Sequence, residues 1–260
     1  MEVIICADAE QVGRMAGARV ARAIQGLSDP VIGVATGSSP LGIYADLGRR
    51  QREEGLDLSR ATFFALDEYL GLPRTHPSSY FRTIQTTVTE PLGIDPAKVH
   101  VPPGDAEDVA AACLAYEHAI AQAGGIDVQI LGIGSNGHIG FNEPGSSFAS
   151  RTRVKTLAAR TRADNRRFFT EGFVPTHCVT QGLGTIMDAG RLVLAAMGEG
   201  KADAVAAAVE GPVSAMCPAS VLQFHPHASV VVDEAAASKL TLTEYYRDSL
   251  EMTPEHLTLD

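Results

Sequence analysis

The stretch from Asp127 to Ser147, DVQILGIGSNGHIGFNEPGSS, constrains this chain more than any other. It opens as an apolar strand, Val128 to Ile133, and passes directly into a turn holding Gly132, Gly134, Gly137 and Gly140, then Pro144 and Gly145. A strand of this kind delivers its turn to one edge of a sheet. Inside the turn stand Asn136, His138, Asn142 and Glu143, so one short piece of backbone carries an imidazole, a carboxylate able to orient it and two amides.

The segment Gly132-Ile133-Gly134-Ser135-Asn136-Gly137 also fits the spacing of a dinucleotide-binding glycine loop. That reading requires a helix straight after the third glycine, and Gly140, Pro144 and Gly145 interrupt any 3.6-residue period. It also requires an acidic residue about 20 positions on for the ribose hydroxyl. Arg153, Lys155, Thr156 and Leu157 occupy that neighbourhood, so the dinucleotide reading is disfavoured.

At 260 residues, 45% hydrophobic and 20% charged, the chain has the composition of a globular protein able to bury a substantial core. A formal charge of −10 argues against general binding to nucleic acid or anionic membrane, which needs positive surface. Cys6, Cys113, Cys178 and Cys217 are widely spaced, without the pairing expected of a zinc site, and read as reduced thiols. The N-terminus lacks the basic region of a signal peptide, and no apolar run approaches the roughly 18 residues of a membrane helix. The expected location is the cytoplasm.

Along the chain, Val3 to Cys6 reads as a strand, and Asp8 caps a helix in which Val12, Met15, Ala16, Val20, Ala23 and Ile24 recur at helical spacing. Val31 to Ala35 is a second strand, followed by Thr36-Gly37-Ser38-Ser39-Pro40 and a helix from Leu41 to about Arg52. Amides and hydroxyls at that helix start suit a phosphate, and they suit a plain capped turn equally well. Thr62 to Leu66 is a third strand running into Asp67-Glu68-Tyr69, and strand ends are where open α/β sheets place ligands. Ser78 or Ser79 caps a helix through about Thr89. Val99 to Val101 is a short strand, and Asp105 to Gly124 reads as an alanine-rich helix. Beyond the central turn, Arg151, Arg153, Lys155, Arg160, Arg162, Arg166 and Arg167 place seven of 21 cationic side chains within 17 residues. This concentration suggests a held anion more than a merely solvated face. Alternating strand-like and helical pieces continue through Gln181–Ala189, Arg191–Met197, Lys201–Val209, Ala228–Val232 and Leu240–Leu250. With no linker and no internal repeat, the expectation is one α/β domain over residues 1–260. It is a doubly wound, mostly parallel sheet with helices on both faces, and residues 151–188 are a candidate mobile cap.

The residues by themselves offer Asp67 at one strand end and a His138/Glu143 pair at another, with phosphate-ready loops nearby. A base that moves a proton between adjacent carbons and an acid that works on an oxygen suit isomerisation of a phosphorylated sugar, each transfer contributing about 10²–10⁴ in rate. A histidine satisfied by local backbone is the competing reading for His138. Glu143 tips the balance, because a carboxylate fixes the tautomer and raises basicity.

The segments ATGSSPLGIY, FFALDEYLGLP with HPSSYF, LGIGSNGHIGFNEPGSSFASRTRVKT, and GKADAVAAAVEGPVSAMCPAS with LQFHPHASVVVDE together resemble the glucosamine-6-phosphate deaminase family. The likeness runs nearly the whole length and in order. The sister 6-phosphogluconolactonases share the fold and the first glycine turn but lack GHIGFNEP. The resemblance implies that Asp67 moves a proton between C2 and C1 of the opened sugar. It implies that His138 is the acid/base of pyranose ring opening, held by Glu143 and position 136. Many family members carry aspartate at that position where this chain has Asn136, which orients an imidazole without stabilising its cation by charge. The substrate phosphate would sit among Gly37, Ser38, Ser39, Arg167 and Lys201, and Glu68 would support the base. The implied reaction is D-glucosamine 6-phosphate plus water to D-fructose 6-phosphate and ammonia, a hydrolysis at a C–N bond with isomerisation. No metal or organic cofactor is implied. The resemblance also suggests a homo-oligomer. In allosteric relatives, N-acetylglucosamine 6-phosphate activates a hexamer at a subunit boundary, and the matching positions are Ser147, Arg153, Lys155 and Tyr245. Relatives with Asn at position 136 that work without an activator leave that second site open. A lactonase, or a sugar-phosphate sensor that binds without turnover, is the alternative reading.

Overall fold

The computed structural model describes residues 1–169 and 173–252. Strand β1 (Glu2–Cys6) leads to helix α1 (Ala9–Ala23), which starts where the Asp8 carboxylate accepts the Gln11 N–H at 2.8 Å. Strand β2 (Val31–Val34), helix α2 (Leu41–Glu53), strands β3 (Thr62–Ala65) and β4 (Asp67–Tyr69), helix α3 (Tyr80–Ile84), strand β5 (Val99–His100) and helix α4 (Val109–Gln122) follow. The central turn leaves β6 (Val128–Leu131), and after it come β7 (Arg153–Thr156), α5 (Ala159–Asn165), β8 (His177–Thr180) and α6 (Leu183–Met187). The chain ends its described course with β9 (Arg191–Ala196), α7 (Ala202–Val209), β10 (Ala228–Asp233), α8 (Glu234–Ala237) and α9 (Thr243–Met252).

Seven strands form one sheet in the order β1-β10-β9-β6-β2-β3-β5, every pair of neighbours parallel. Its strands are apolar on both faces, as a parallel sheet covered on both sides requires. Val31, Phe64, Leu131, Leu194 and Val230 point to one core, shared with α4, α6, α7 and α8. Their chain neighbours Ile32, Phe63, Ile130, Val193 and Val231 point to the other, beneath α1 and α2. The chain steps from β2 through β3 to β5 toward one edge, and from β6 through β9 and β10 toward the other. Successive crossovers therefore diverge between β2 and β6 and leave a crevice above their carboxyl ends.

The expected doubly wound parallel sheet is present, and three expectations change in detail. Asp67–Tyr69 does not prolong β3. The chain turns out of the large sheet after Leu66, and β4 joins a separate three-stranded antiparallel sheet in the order β4-β8-β7. The helix expected from Asp105 begins only at Val109, capped by Asp108 on the Ala111 N–H at 3.0 Å, because the carbonyl of Gly104 is tied to the Gly71 N–H at 2.8 Å. The helix capped by Ser79 is α-helical only to Ile84 and closes with a wider π turn over Gln85–Thr89. Strands β7 and β8 of the small sheet and α5 belong to residues 151–188, the candidate cap, of which 170–172 lie outside the described residues, and β4 ties them to the rest of the chain. A third apolar cluster packs Leu157, Phe169, Val174 and Cys178 of this segment on Tyr69 and Phe141.

Candidate active site

The crevice between β2 and β6 opens into a cleft with about 830 Å³ of empty space, open solvent included. Its walls come from the loop after β2, the β3–β4 bend, the glycine-rich turn after β6, helix α5 and Lys201. Gly37, Ser38, Ser39, Asp67, His138, Arg167 and Lys201 all line it. Elements far apart in sequence thus bring seven of the expected site residues to one space.

Beyond the Gly37-Ser38-Ser39 loop, α2 starts behind Pro40 without a side-chain cap. Gly37 stands at φ +93°, a left-handed conformation that lets the loop turn back before the helix. The Lys201 ammonium donates to the Ile133 carbonyl at 2.6 Å, which fixes it at the rim of the glycine-rich turn. Burial lowers its pKa, Asp164 opposes that shift, and Arg167 and Arg160 add to it. Arg167 lines the cleft too, with its guanidinium 4.8 Å from the Phe168 ring centroid. Of the seven cations in the Arg151–Arg167 run, Arg167 alone is among the cleft's lining residues. Arg151 instead pairs with Glu117 at 2.6 Å and Asp188, and holds the root of the cap. The run as a whole is therefore not a single anion site.

Asp67 begins β4 and is 5% exposed. It receives no hydrogen bond from the described residues, and burial pushes its pKa well above the ordinary carboxylate value, with Glu68 adding to the shift. Burial raises the pKa of Glu68 as well, and its backbone hydrogen bonds oppose that shift. Its oxygens accept three backbone N–H groups, from Tyr69 at 2.8 Å, Tyr80 at 2.9 Å and Phe81 at 2.8 Å, so it bolts the start of α3 to β4. Tyr80 thereby reaches the cleft wall, its hydroxyl 3.3 Å from that of Tyr69.

His138 lies flat on the turn. A β-carbon at Gly134 would come within 2.1 Å of the imidazole Cε1, so only glycine fits beneath the ring. The tautomer follows from the partners. Asn136 spends its amide N–H on Glu143 Oε2 at 2.8 Å, so its Oδ1 faces His138 Nδ1 at 2.7 Å and must accept. The neutral ring accordingly carries its proton on Nδ1 and leaves the Nε2 lone pair unprotonated, as a base requires. Glu143 is itself anchored, its other oxygen accepting the Ala158 N–H at 3.0 Å, and it lies 3.7 Å from His138 Nδ1. The side chain of His138 is 16% exposed, and burial lowers its pKa while Glu143 raises it. Asn136 and Glu143 thus act behind the imidazole rather than in the cleft.

The four positions matched to an activator site are not brought together within one chain. Arg153 and Lys155 share one face of β7, which rests on α4, and Ser147 lies exposed before it. Tyr245 stands on α9, which packs against the edge strand β1. Reading the sequence also passed over Tyr80, Thr161 and Asp164, all lining residues. No local motif marks them, because the small sheet and α5 bring them in. Among the described residues, no group of three or more His, Cys, Asp or Glu could hold a metal ion, and no helix is long and apolar enough to cross a membrane.

Residues 7–232 match the family described as glucosamine-6-phosphate isomerases/6-phosphogluconolactonase. The chain belongs to this family. It is 64% identical over 248 residues to a glucosamine-6-phosphate deaminase of Cutibacterium acnes, covering 95% of each. It is 57% identical over 256 residues to one from Bifidobacterium longum, again 95% of each. Among solved structures, a monomeric glucosamine-6-phosphate deaminase superposes with a TM-score of 0.89 at 40% identity, over 92% of this chain and 100% of that one. A 6-phosphogluconolactonase from Trypanosoma brucei superposes at 0.73 with 18% identity, over 92% of this chain and 98% of that one, which is a likeness of fold alone. Within the family, the deaminase branch is the one this sequence follows.

Proposed function

We propose that the chain converts D-glucosamine 6-phosphate and water into D-fructose 6-phosphate and ammonia, as a cytoplasmic enzyme of amino-sugar breakdown. The observation that carries this reading is one cleft lined together by an Nδ1-protonated His138, a buried Asp67 and the cations Lys201 and Arg167. Lys201, Arg167 and the Gly37-Ser38-Ser39 loop bind the phosphate and so fix the sugar's position. His138 Nε2 takes the anomeric hydroxyl proton and returns it to the ring oxygen, which opens the pyranose. Asn136 and Glu143 hold the tautomer and favour the imidazolium formed midway. Asp67 then takes the proton from C2 while the C1 oxygen gains one given up by the 2-ammonium group, and Asp67 delivers its proton to C1, which leaves the nitrogen doubly bonded to C2. A carboxylate without hydrogen bonds is a stronger base than one in water, which suits a carbon acid. The C2 imine that results is hydrolysed by water and releases ammonia. Residues 151–188 act as a lid over these steps.

The test is a coupled ammonia assay with purified protein. Ammonia and fructose 6-phosphate should appear in equal amounts from glucosamine 6-phosphate. Hydrolysis of 6-phosphogluconolactone without ammonia release, or tight binding without turnover, would overturn the reading.

A further inference from the structure

The chain holds three asparagines, and only Asn136 is followed by glycine. That pair is the one most disposed to deamidate itself, because glycine has no side chain to shield its backbone nitrogen from the neighbouring amide carbon. The Gly137 nitrogen loses its proton to base and attacks Asn136 Cγ. A bond forms between that nitrogen and Cγ, the Cγ–Nδ2 bond breaks, and Nδ2 leaves as ammonia. Water then opens the cyclic imide. Cleavage at Cγ gives aspartate at position 136, whereas cleavage at the main-chain carbonyl gives isoaspartate, in which the backbone runs through the former side chain and gains one carbon. Water is added and ammonia is lost, so no oxidant or cofactor enters.

The fold ties down both reacting ends. The Gly137 N–H donates to the Gly134 carbonyl at 2.9 Å and Gly137 is buried, so base reaches the nitrogen only when that turn opens. The Gly134 N–H donates in return to the His138 carbonyl at 2.8 Å, which closes residues 134–138 on themselves. Asn136 Nδ2 donates to Glu143 at 2.8 Å, and Oδ1 accepts from His138 Nδ1 at 2.7 Å. Cγ cannot swing toward the Gly137 nitrogen without giving up these bonds. From behind, the Ala219 N–H donates to the Gly137 carbonyl at 2.9 Å, and the Cys217 sulfur lies 2.7 Å from where a β-carbon at Gly137 would stand. Ser220 is fully buried and holds this backing segment, accepting the Ser214 N–H at 2.8 Å and donating to the Ser214 carbonyl at 3.1 Å. Asn136 itself is half-buried, so water meets the imide once it has formed.

We propose that Asn136–Gly137 is a self-deamidation site gated by its own turn, shielded while the Gly134–Gly137 hydrogen bond is closed and reactive when it opens. The two products differ in what they do to the site. Aspartate keeps an oxygen for His138 Nδ1 and gives up the amide that holds Glu143. Isoaspartate lengthens the main chain inside the loop that seats the imidazole on Gly134, so residues 134–138 no longer close. The inference stands on the turn alone and does not depend on which substrate enters the cleft.

The test follows the peptide spanning residue 136 by mass and by isoaspartate content, in the native full chain and in the chain unfolded in urea, at one mildly alkaline pH. Conversion at Asn136 should be roughly 10–100-fold slower in the native chain, the protection given by a pair of hydrogen bonds that must break together. In the unfolded chain Asn142 and Asn165, followed by glutamate and arginine, should lag behind it. Ser220→Ala releases Ser214 without touching the cleft, and it should speed conversion in the native chain while leaving the unfolded rate unchanged. Urea below the unfolding transition should speed it in the wild-type chain as well, which serves if that variant does not fold. Equal rates in the native and unfolded chains, or a native rate unmoved by sub-denaturing urea, would overturn the gate. An unfolded chain in which Asn136 converts no faster than Asn142 and Asn165 would overturn the site. The mass readout needs no turnover, so a chain without ammonia-releasing activity counts against the deaminase reading alone.

Discussion

Asn136 is the residue at which this site can be retuned by a single atom. In Asn136→Asp the oxygen that accepts from His138 Nδ1 at 2.7 Å is kept, while the amide that donates to Glu143 at 2.8 Å becomes a second carboxylate oxygen. Two carboxylates at that separation cannot both ionise, so they share one proton, and the pair carries one negative charge. The mean position of that charge moves from Glu143, 3.7 Å from Nδ1, toward position 136 at 2.7 Å. At an effective dielectric of about 20 the attraction to an imidazolium grows from roughly 4.5 to roughly 6 kcal/mol. The difference of about 1.5 kcal/mol raises the His138 pKa by about one unit.

The sign for activity follows from the tautomer. Burial holds His138 below the ordinary histidine value, so in the wild-type chain the neutral, Nε2-basic form persists to lower pH. A carboxylate beside it strengthens the imidazolium, and activity should then be lost at a higher pH as pH falls. An NMR titration of the His138 Cε1 proton, together with the acid limb of kcat/KM against pH, should move upward by about one unit in Asn136→Asp. A His138 pKa unchanged or lowered in the variant would refute the hydrogen-bond relay from which the shift is derived.

Asp67→Asn should abolish ammonia release while leaving binding of fructose 6-phosphate within a few-fold, since the amide keeps shape but cannot accept the C2 proton; near wild-type turnover would reject the role. Lys201→Ala should raise KM for the phosphorylated sugar by the equivalent of roughly 1.5–3 kcal/mol, because its ammonium is half-buried and fixed on Ile133. Arg167→Ala should cost less, about 1 kcal/mol or below, because Arg167 is exposed and screened; an unchanged KM in both variants would move the phosphate site elsewhere. Because Tyr245 lies apart from Arg153 and Lys155, activation by N-acetylglucosamine 6-phosphate requires a neighbouring copy of the chain to complete the site. A substrate titration with and without that sugar, run beside a solution mass, checks this. Activation should appear only in an oligomer, and activation of a monomer would contradict the placement.

Much of the glycine-rich turn was determined by local sequence. The glycines at 134 and 137 admit a ring and a reversal that no other residue allows, and Asn136, His138 and Glu143 are close enough along the chain to meet through that turn alone. The apolar strands likewise determined a parallel sheet, since runs such as Val128–Leu131 cannot be left uncovered on either face. What local sequence could not determine was everything that depends on where the cap lands. Asp67 reads as the end of a strand, yet it is buried and raised in pKa because the chain leaves the large sheet at Leu66 to pair with β8, more than a hundred residues away. Seven clustered cations read as one anion site, yet pairing and strand register send Arg151 to the cap's root, Arg153 and Lys155 to the outlying strand β7, and Arg167 to the cleft. Thr161 and Asp164 carry no motif and gain meaning only where α5 folds over Ser135. Periodicity and glycine placement act within a few residues and can be read there. Burial, pKa and convergence arise from contacts between distant segments, and these exist only once the tertiary structure has formed.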